Sequence, residues 1–317
     1  MNKKDVFKTG LMLLFMSFMV SCSEDNDDMG SENPEAYNTE VYLTDAPIDD
    51  ANVQAAFVTV TNVMVNGKAI EGFEKTTVEI SSLTNGETLH LGDLQLKNGA
   101  TSSITLMLDS ETDAAGEAPG NYILTADGEK KALATSANEI VISDDAEIKA
   151  SDENQLILDF DLRKSIVSNA EGEYSFVSNS ELAGNVRAVN TLNAGRINGT
   201  VDNMENSDAE TMLVFAYKKG EYSESEKEAD ASGARFSNAV NSSVVSESNG
   251  NFSLHFLEEG EYELHFASYS DNDSDAALEF EGMAEASSKS ELDLLGLNVT
   301  AQSQTTVEVS LSGLLGL

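Results

Sequence analysis

The chain has few of the residues on which many enzymes and nucleic-acid-binding proteins depend. Its 317 residues include one cysteine, three histidines, three prolines and no tryptophan. Only 18 residues are lysine or arginine, against 56 aspartates and glutamates, so the formal net charge at pH 7 is −38. A field of this sign repels the phosphates of DNA, RNA and anionic lipids, so we expect no nucleic-acid partner. Solubility is the simplest explanation of the charge, and cation binding is the alternative.

Catalytic motifs are equally scarce. The sequence contains no Gly-x-Ser-x-Gly elbow, no His-x-x-x-His pair and no glycine-rich phosphate loop. Paired carboxylates can hydrolyse glycosides, but a chain with 56 acids makes any single pair uninformative. We therefore predict a protein that is not an enzyme and requires no cofactor.

The single cysteine, Cys22, directly follows a short apolar segment. Three lysines lie among the first eight residues, and the apolar run Leu11–Val20 comes next. This run is too short to span a bilayer as a helix, which takes about 20 residues. A basic start, a short apolar core and small residues at its end are typical of a secretory signal peptide, which we place at residues 1–21. A buried N-terminal helix is the alternative.

The sequence MVSC at 19–22 resembles a lipobox, the site at which a lipoprotein precursor is cut before a cysteine. The resemblance implies that a diacylglycerol is attached to Cys22. Lipidation would also remove a thiol that has no disulfide partner in this chain. Two or three acyl chains give lasting anchorage, where one is marginal. We therefore expect a lipid anchor in the outer membrane as the protein's contact with the membrane.

The residues after the cysteine are strongly acidic. Ser23, Glu24, Asp25, Asp27 and Asp28 resemble the export signal that sends some Gram-negative lipoproteins to the outer face of the outer membrane. Ordinary acidity of a linker is the alternative. Residues 22–38 have almost no apolar content, so we predict a flexible tether that holds a protein facing the cell exterior.

From residue 39 onward, short β-branched runs alternate with turn residues. The dipeptides Asn66-Gly67, Asn85-Gly86 and Asp127-Gly128 are hairpin signals. About ten such runs up to residue 190, and more after Gly195, are typical of all-β sandwiches or barrels. We predict two antiparallel β-sandwich domains, at 39–190 and 195–317. The polar segment 221–250 is expected to be a surface excursion with a short helix.

Each predicted domain resembles a known family. In the first, VYLTDAP at 41–47, LTNG at 83–86, LGD at 91–93 and LDFDL at 158–162 resemble the bacterial lipoprotein domain of unknown function 4382, which has no assigned activity. In the second, GRINGTV at 195–201, GNFSL at 250–254 and GEYEL at 260–264 resemble the carboxypeptidase-regulatory-like, or transthyretin-like, β-sandwich. That resemblance implies a non-catalytic module.

Three groups of side chains are candidate sites. Asp271, Asp273 and Asp275 alternate in a loop and could bind Ca²⁺ through their oxygens, although the spacing is not that of an EF-hand. A solvated acidic loop is the alternative.

The second group is a pair of histidines. His255 and His265 would lie close together on the outer face of a hairpin, where they could bind Zn or Cu; an exposed hairpin face without a metal is the alternative.

The third group lies on one strand. Asp159 and Asp161 project from one face, opposite Leu158 and Phe160. We expect structural hydrogen bonds or ion pairs here, with Arg163 and Arg187 as candidate partners, and a ligand site is the alternative.

The leading functional prediction is a surface-exposed, non-catalytic binding or adhesion protein for a glycan, a protein or a cation. The lack of tryptophan disfavours sugar stacking, although tyrosine can also stack. The alternative is a structural or accessory subunit of an outer-membrane assembly or nutrient-uptake system. A hydrolase ranks third.

Overall fold

The computed structural model describes residues 35–315, apart from 49, 51, 102, 170, 208–209, 231–232 and 271–277. These residues belong to one compact unit. They are mainly β-strand, which confirms the predicted all-β class. Their apolar side chains form separate cores, one built from residues before 190 and two built from residues after it.

Alternating β-branched runs form the strands of the N-terminal part, because most of their apolar residues turn to one shared core. The strands are β1 (Ala36–Ala46), β2 (Val53–Val65), β3 (Lys68–Ala69), β4 (Thr76–Glu79), β5 (Leu89–Lys97), β6 (Gly99–Ala100), β7 (Ile104–Leu108), β8 (Tyr122–Thr125), β9 (Lys130–Ala134), β10 (Glu139–Ile142), β11 (Glu147–Ile148), β12 (Asn154–Asp161), β13 (Ile166–Ser168), β14 (Tyr174–Phe176) and β15 (Val186–Asn190). The helices are α1 (Leu162–Ser165), α2 (Asn179–Gly184) and the 3₁₀ turns Ile80–Ser82 and Thr191–Asn193.

Two larger sheets enclose the N-terminal core. One has the order β15-β12-β1-β5, and the other has the order β10-β7-β2-β8-β9-β14-β13, with β3 and β4 also paired to β2. Asn66-Gly67 joins β2 to β3 and Asp127-Gly128 joins β8 to β9, so these two hairpin predictions are confirmed. Asn85-Gly86 forms a turn with positive φ at both residues, but it leads from one sheet to the other and makes no hairpin.

Two predictions for this part need correction. Strand β1 begins at Ala36, so Ala36–Asn38 belong to the sheet and not to the tether expected at 22–38. The sheets are also not purely antiparallel, since β12 runs parallel to β1 and β14 runs parallel to β9. The near-continuous apolar run of β12 suits this position, because a strand between two neighbours in a covered sheet is buried on both faces.

In the C-terminal part, one sheet rolls around its core. Its strands are β16 (Ala194–Asp202), β17 (Thr211–Lys218), β18 (Asn241–Val245), β19 (Asn251–Glu258), β20 (Gly260–Ser270), β21 (Glu279–Ser288), β22 (Leu297–Val299) and β23 (Gln304–Leu315), with 3₁₀ turns at Met204–Ser207 and Glu224–Lys227. The order is β18-β17-β20-β21-β23-β16-β19, with β22 on β20, and β16 runs parallel to β23. The two end strands meet where the Ser253 amide donates to the Ser243 hydroxyl over 3.4 Å.

This arrangement overturns two further predictions. Strands β19 and β20 are consecutive but do not pair, so the hairpin that would have brought His255 beside His265 does not exist. Leu254 and Leu264 do face the same core, as expected, but a rolled sheet directs the outer faces of distant strands to different sides. The segment 221–250 contains the expected short helix, yet it also forms β18 and buries Phe236 completely, so it is not a surface excursion.

Candidate functional site

The predicted acidic pair on β12 lies at the contact between the N-terminal and C-terminal parts. In the ladder between β12 and β15, Asp159 lies opposite Arg187, and the two side chains form an ion pair. Arg163, in α1, places its Nη2 3.2 Å from the Oδ2 of Asp161. Lys164 approaches the same oxygen at 3.0 Å. The predicted pairing of these acids with Arg163 and Arg187 is therefore confirmed.

The two arginines continue from these pairs to carbonyls of the C-terminal part. Arg163 donates to the carbonyl of Arg235 and, over 3.3 Å, to that of Phe236. Arg187 donates to the carbonyl of Phe256 over 3.2 Å. We call this contact the seam. It comprises the β12 acids, the two arginines, the carbonyls that the arginines reach, and the contact of the Asn85-Gly86 turn with His255 and Ser243.

Burial controls the electrostatics of the seam. Burial raises the pKa of Asp161, but the nearby charges of Arg163 and Lys164 outweigh it and hold the pKa below its usual value. For Arg187, burial lowers the pKa, but the charge of Asp159 outweighs this effect and raises the pKa above its usual value. Both groups therefore remain ionised although they are shielded from water. An ion pair at such a site is stabilised by further hydrogen bonds, and both arginines also donate to backbone carbonyls.

Asp45 lies beside these charges in a different state. Its Oδ1 accepts a hydrogen bond from the Leu162 amide over 3.1 Å, and its Oδ2 makes none within the described residues. Burial raises its pKa well above the usual value, and the charges of Asp161 and Asp159 raise it further. Burial and the neighbouring carboxylates therefore favour the protonated form of Asp45 relative to an exposed aspartate.

The seam also holds an unusual backbone conformation. Phe236 and Phe256 have φ values of 52° and 53°, which bulky side chains rarely adopt. The carbonyl of each accepts a hydrogen bond from one of the two seam arginines. Such strain persists only where the surroundings determine the conformation, and here the arginines contribute to that constraint.

The turn at Asn85-Gly86 completes the seam. A Cβ on Gly86 would lie 2.4 Å from the His255 Nδ1, so only glycine allows this approach. The Ser243 hydroxyl donates to the Asn85 Oδ1 over 3.2 Å. Burial, with a contribution from the charge of Arg196, lowers the pKa of His255, which is neutral at pH 7. His255 is thus a packing residue of the seam.

A second feature, which the sequence did not predict, is an open cleft of about 690 Å³ in the C-terminal part. It opens where β20 and β21 separate, and the loop 289–296 borders it. Three leucines of its lining are about half exposed to solvent: Leu292 (42%), Leu295 (51%) and Leu315 (52%). Its size lies within the usual range of about 300–1,000 Å³ for ligand pockets.

Two aromatic rings stack at one end of the cleft. The rings of Tyr222 and His265 lie 3.7 Å apart, nearly parallel. Burial, together with the charges of Glu224, Glu226 and Glu263, raises the pKa of Tyr222 to about 12. Burial lowers the pKa of His265, although Glu263 opposes this shift, so the ring is neutral at pH 7. The pair offers an uncharged aromatic surface.

The other predicted sites divide into two groups. The lipid attachment at Cys22, the export residues 23–28 and the Ca²⁺ site at Asp271, Asp273 and Asp275 lie outside the described residues. His255 and His265, the proposed Zn or Cu pair, lie in the seam and the cleft respectively and do not meet. Across the described part of the chain, no group of three or more metal-binding side chains comes together. None of the helices described there is long and apolar enough to cross a membrane.

Comparison with known proteins gives one family match and several loose structural overlaps. Residues 38–178 match the model of a domain of unknown function, DUF4382, as the motifs between 41 and 162 predicted. No curated protein matches the chain.

Among solved structures, the TIE protein of Bacillus anthracis overlaps with 13% identity and a TM-score of 0.19, over 87% of this chain and 34% of that one, so this chain spans about a third of its length. A putative adhesin from Bacteroides ovatus overlaps with 11% identity and a TM-score of 0.20, over 88% and 91% of the two chains. A shaft pilin from Lactobacillus rhamnosus GG overlaps with 12% identity and a TM-score of 0.20, over 88% and 99%. At these TM-scores the overlaps support no assignment of function.

Proposed function

We propose that this protein is a surface-exposed, lipid-anchored binding or adhesion module without catalytic activity, and that the cleft between β20 and β21 holds its ligand. The observation that carries the proposal is the exposure of three leucines around one concave site. Soluble proteins seldom leave apolar side chains grouped in this way unless a partner covers them. The stacked Tyr222 and His265 add a flat aromatic surface to the same site.

The seam supports the same proposal from another direction. Buried ion pairs and arginine–carbonyl bonds hold the C-terminal part against the N-terminal part. A ligand held in the cleft would therefore be held in a fixed direction relative to the N-terminal part. The alternative function, a structural or accessory subunit of an outer-membrane assembly or uptake system, draws on the same rigidity.

The test measures binding by the detergent-solubilised full chain on arrays of glycans and peptides, with two variants. Leu295→Asp places a charge in the cleft. Val141→Asp is the matched control, because Val141 is 53% exposed on β10, in the N-terminal part. We expect binding that Leu295→Asp abolishes and Val141→Asp leaves unchanged. Binding that both variants retain equally would exclude the cleft as the site.

The anchor is tested separately. Cells that produce the wild-type chain should incorporate labelled fatty acid into it, and cells that produce Cys22→Ala should not. Equal labelling of the two proteins would overturn the lipid-anchor part of the proposal.

A further inference from the structure

The two strands that border the cleft change partners there. Residues Ala267–Ser270 of β20 pair with Glu279–Met283 of β21, and Gly260–Tyr262 of β20 pair with β22. Between these two stretches, at Glu263–Phe266, β20 pairs with β17 on one side only. On the other side the Leu264 amide donates to the carbonyl of Leu294, in the loop 289–296, over 2.9 Å. The sheet is therefore split at this point.

Strand β21 leaves its other edge open along the split. Over Ala284–Ser288 it pairs with β23, and within the described residues no strand pairs with its opposite edge. Backbone N–H and C=O groups of a strand point alternately to its two sides, so some of these groups face the cleft. Five residues at about 3.4 Å each give about 17 Å of open edge. An open edge of this kind is a template for another strand.

The side chains at the cleft favour a particular kind of strand. Leu292, Leu295 and Leu315 offer apolar contacts to alternate residues of an added segment. The lining also carries Glu224, Glu285 and Asp293, whereas its lysine, Lys227, is already paired with Glu224 at 2.5 Å. Excess negative charge at the cleft, in a chain with a net charge of −38, attracts a cationic segment and repels an acidic one.

We infer that the cleft binds an extended peptide segment of a protein partner, with alternating apolar and basic residues, which adds as a strand to the open edge of β21. The segment would place its apolar side chains against the leucines and its basic side chains toward the acids. This inference rests on the proposed function, because it names the class of ligand for the same site. A glycan would stack on the aromatic rings but could not pair with the open edge along its length as a strand does.

The experiment measures fluorescence anisotropy of a labelled seven-residue peptide of alternating leucine and lysine, with the full chain in detergent at physiological salt. Salt screens the general attraction between a cationic peptide and an acidic protein. A second peptide has the same sequence with every other amide N-methylated, so its charge is unchanged but it loses backbone donors. A third alternates leucine with glutamate. We expect binding of the first peptide and at least about a tenfold loss for each of the others.

Two variants locate the binding. Leu295→Asp and Glu285→Lys should each weaken the binding of the first peptide by about tenfold, and Val141→Asp should leave its affinity unchanged. Hydrogen exchange at Ala284–Ser288 should slow when the peptide is bound, since a new strand protects the open edge. Melting curves of the free variants confirm that they are folded.

The outcomes separate this inference from the proposed function. Equal affinity for the methylated peptide, or binding that both cleft variants retain, would overturn strand addition. Glycan binding that depends on Leu295, without peptide binding, would overturn it as well and leave the proposed function standing. If neither glycan nor peptide binding depends on the cleft, both proposals fail.

Discussion

The seam and the cleft lie in the same compact unit and use opposite chemistry. In the seam, charged side chains are buried, and arginines satisfy carboxylates and backbone carbonyls together. In the cleft, leucines are exposed and part of a strand edge has no partner within the described residues. The seam therefore has the features of a formed interface, and the cleft has those of an interface without its partner. Paired charges mark the contact between the two parts of this protein, and exposed apolar side chains mark where we propose that it binds.

The largest expected effect comes from removing a seam arginine. Arg163→Met would leave Asp161 with one partner fewer and two carbonyls of the C-terminal part without their donor. Breaking a buried pair in this way typically costs about 3–5 kcal/mol. Urea unfolding of the full chain measures the loss. The control is Arg196→Met, since exposed Arg196 bonds to Gln304 at the surface. Equal, small losses for both variants would contradict the importance given to the seam.

A smaller effect is expected at the turn that packs on His255. Gly86→Ala would place a Cβ 2.4 Å from the His255 ring and should lower stability by about 1–3 kcal/mol, as overpacking does. Gly67→Ala is the matched control, because Gly67 also has positive φ, at +74°, but has open space around it. Thermal unfolding of both variants separates the packing cost from the backbone cost, which they share. If the two midpoints coincide, the packing of Gly86 on His255 does not contribute to stability.

Asp45, beside the seam, should respond to pH with a sign opposite to that of an ion-paired carboxylate. The pKa of Asp45 is raised in the folded protein, so its contribution to stability is present below the unfolded pKa, about 3.9, and is lost as the pH rises through the folded pKa. Asp45→Asn should therefore gain stability relative to wild type as the pH increases. Urea unfolding between pH 4 and 8 tests this, and a constant difference across that range would contradict it.

Asp109 provides the opposite case. Its hydrogen bond with Lys75, 2.7 Å long, lowers the pKa of Asp109 to about 2. Its contribution is present above the unfolded pKa and is lost as the pH falls through the folded one. Asp109→Asn should therefore be less stable than wild type at neutral pH, and this difference should shrink as the pH falls. Asp45→Asn should instead become more stable relative to wild type as the pH rises.

The smallest effect on stability is expected at the cleft. Leu295→Asp changes a half-exposed side chain and should alter the free energy of unfolding by no more than about 0.5 kcal/mol, while it abolishes binding. Urea unfolding and the binding assay, performed on the same preparation, check this together. A large loss of stability would mean that Leu295 supports the fold, and the contrast between seam and cleft would be lost.

The sequence predicted the parts of these sites that local periodicity determines. Alternation along a strand was enough to place Asp159 and Asp161 on one face, and Arg163 and Arg187 were candidate partners that the structure confirms. Alternation also placed Leu254 and Leu264 against the same core. It could not tell which strands pair, and for this reason the expected meeting of His255 and His265 was wrong.

The missed features depend on contacts between residues that are distant in sequence. Phe236 lies in a polar segment, and nothing in its neighbours indicates that it is buried against the seam. The cleft arises because β20 pairs first with β22 and then with β21, and no local sequence pattern predicts this change of neighbouring strand. The leucines of LDLLG at 292–296 were the available signal, since three apolar residues in five are unusual for a loop.

The parallel pairing of β1 and β12 has a mechanical consequence. The chain enters β1 at Ala36, while the seam lies at the far end of the same two strands, where Ala46 pairs with Asp161. A force applied to the chain before Ala36 and resisted by a ligand in the C-terminal part would run along β1. It would load the hydrogen bonds between β1 and its neighbours β12 and β5 in shear, all at the same time. We expect single-molecule pulling through these two points to meet higher rupture forces than pulling across the sheet. A tethered protein built in this way would resist fluid flow best in the direction in which flow would pull it.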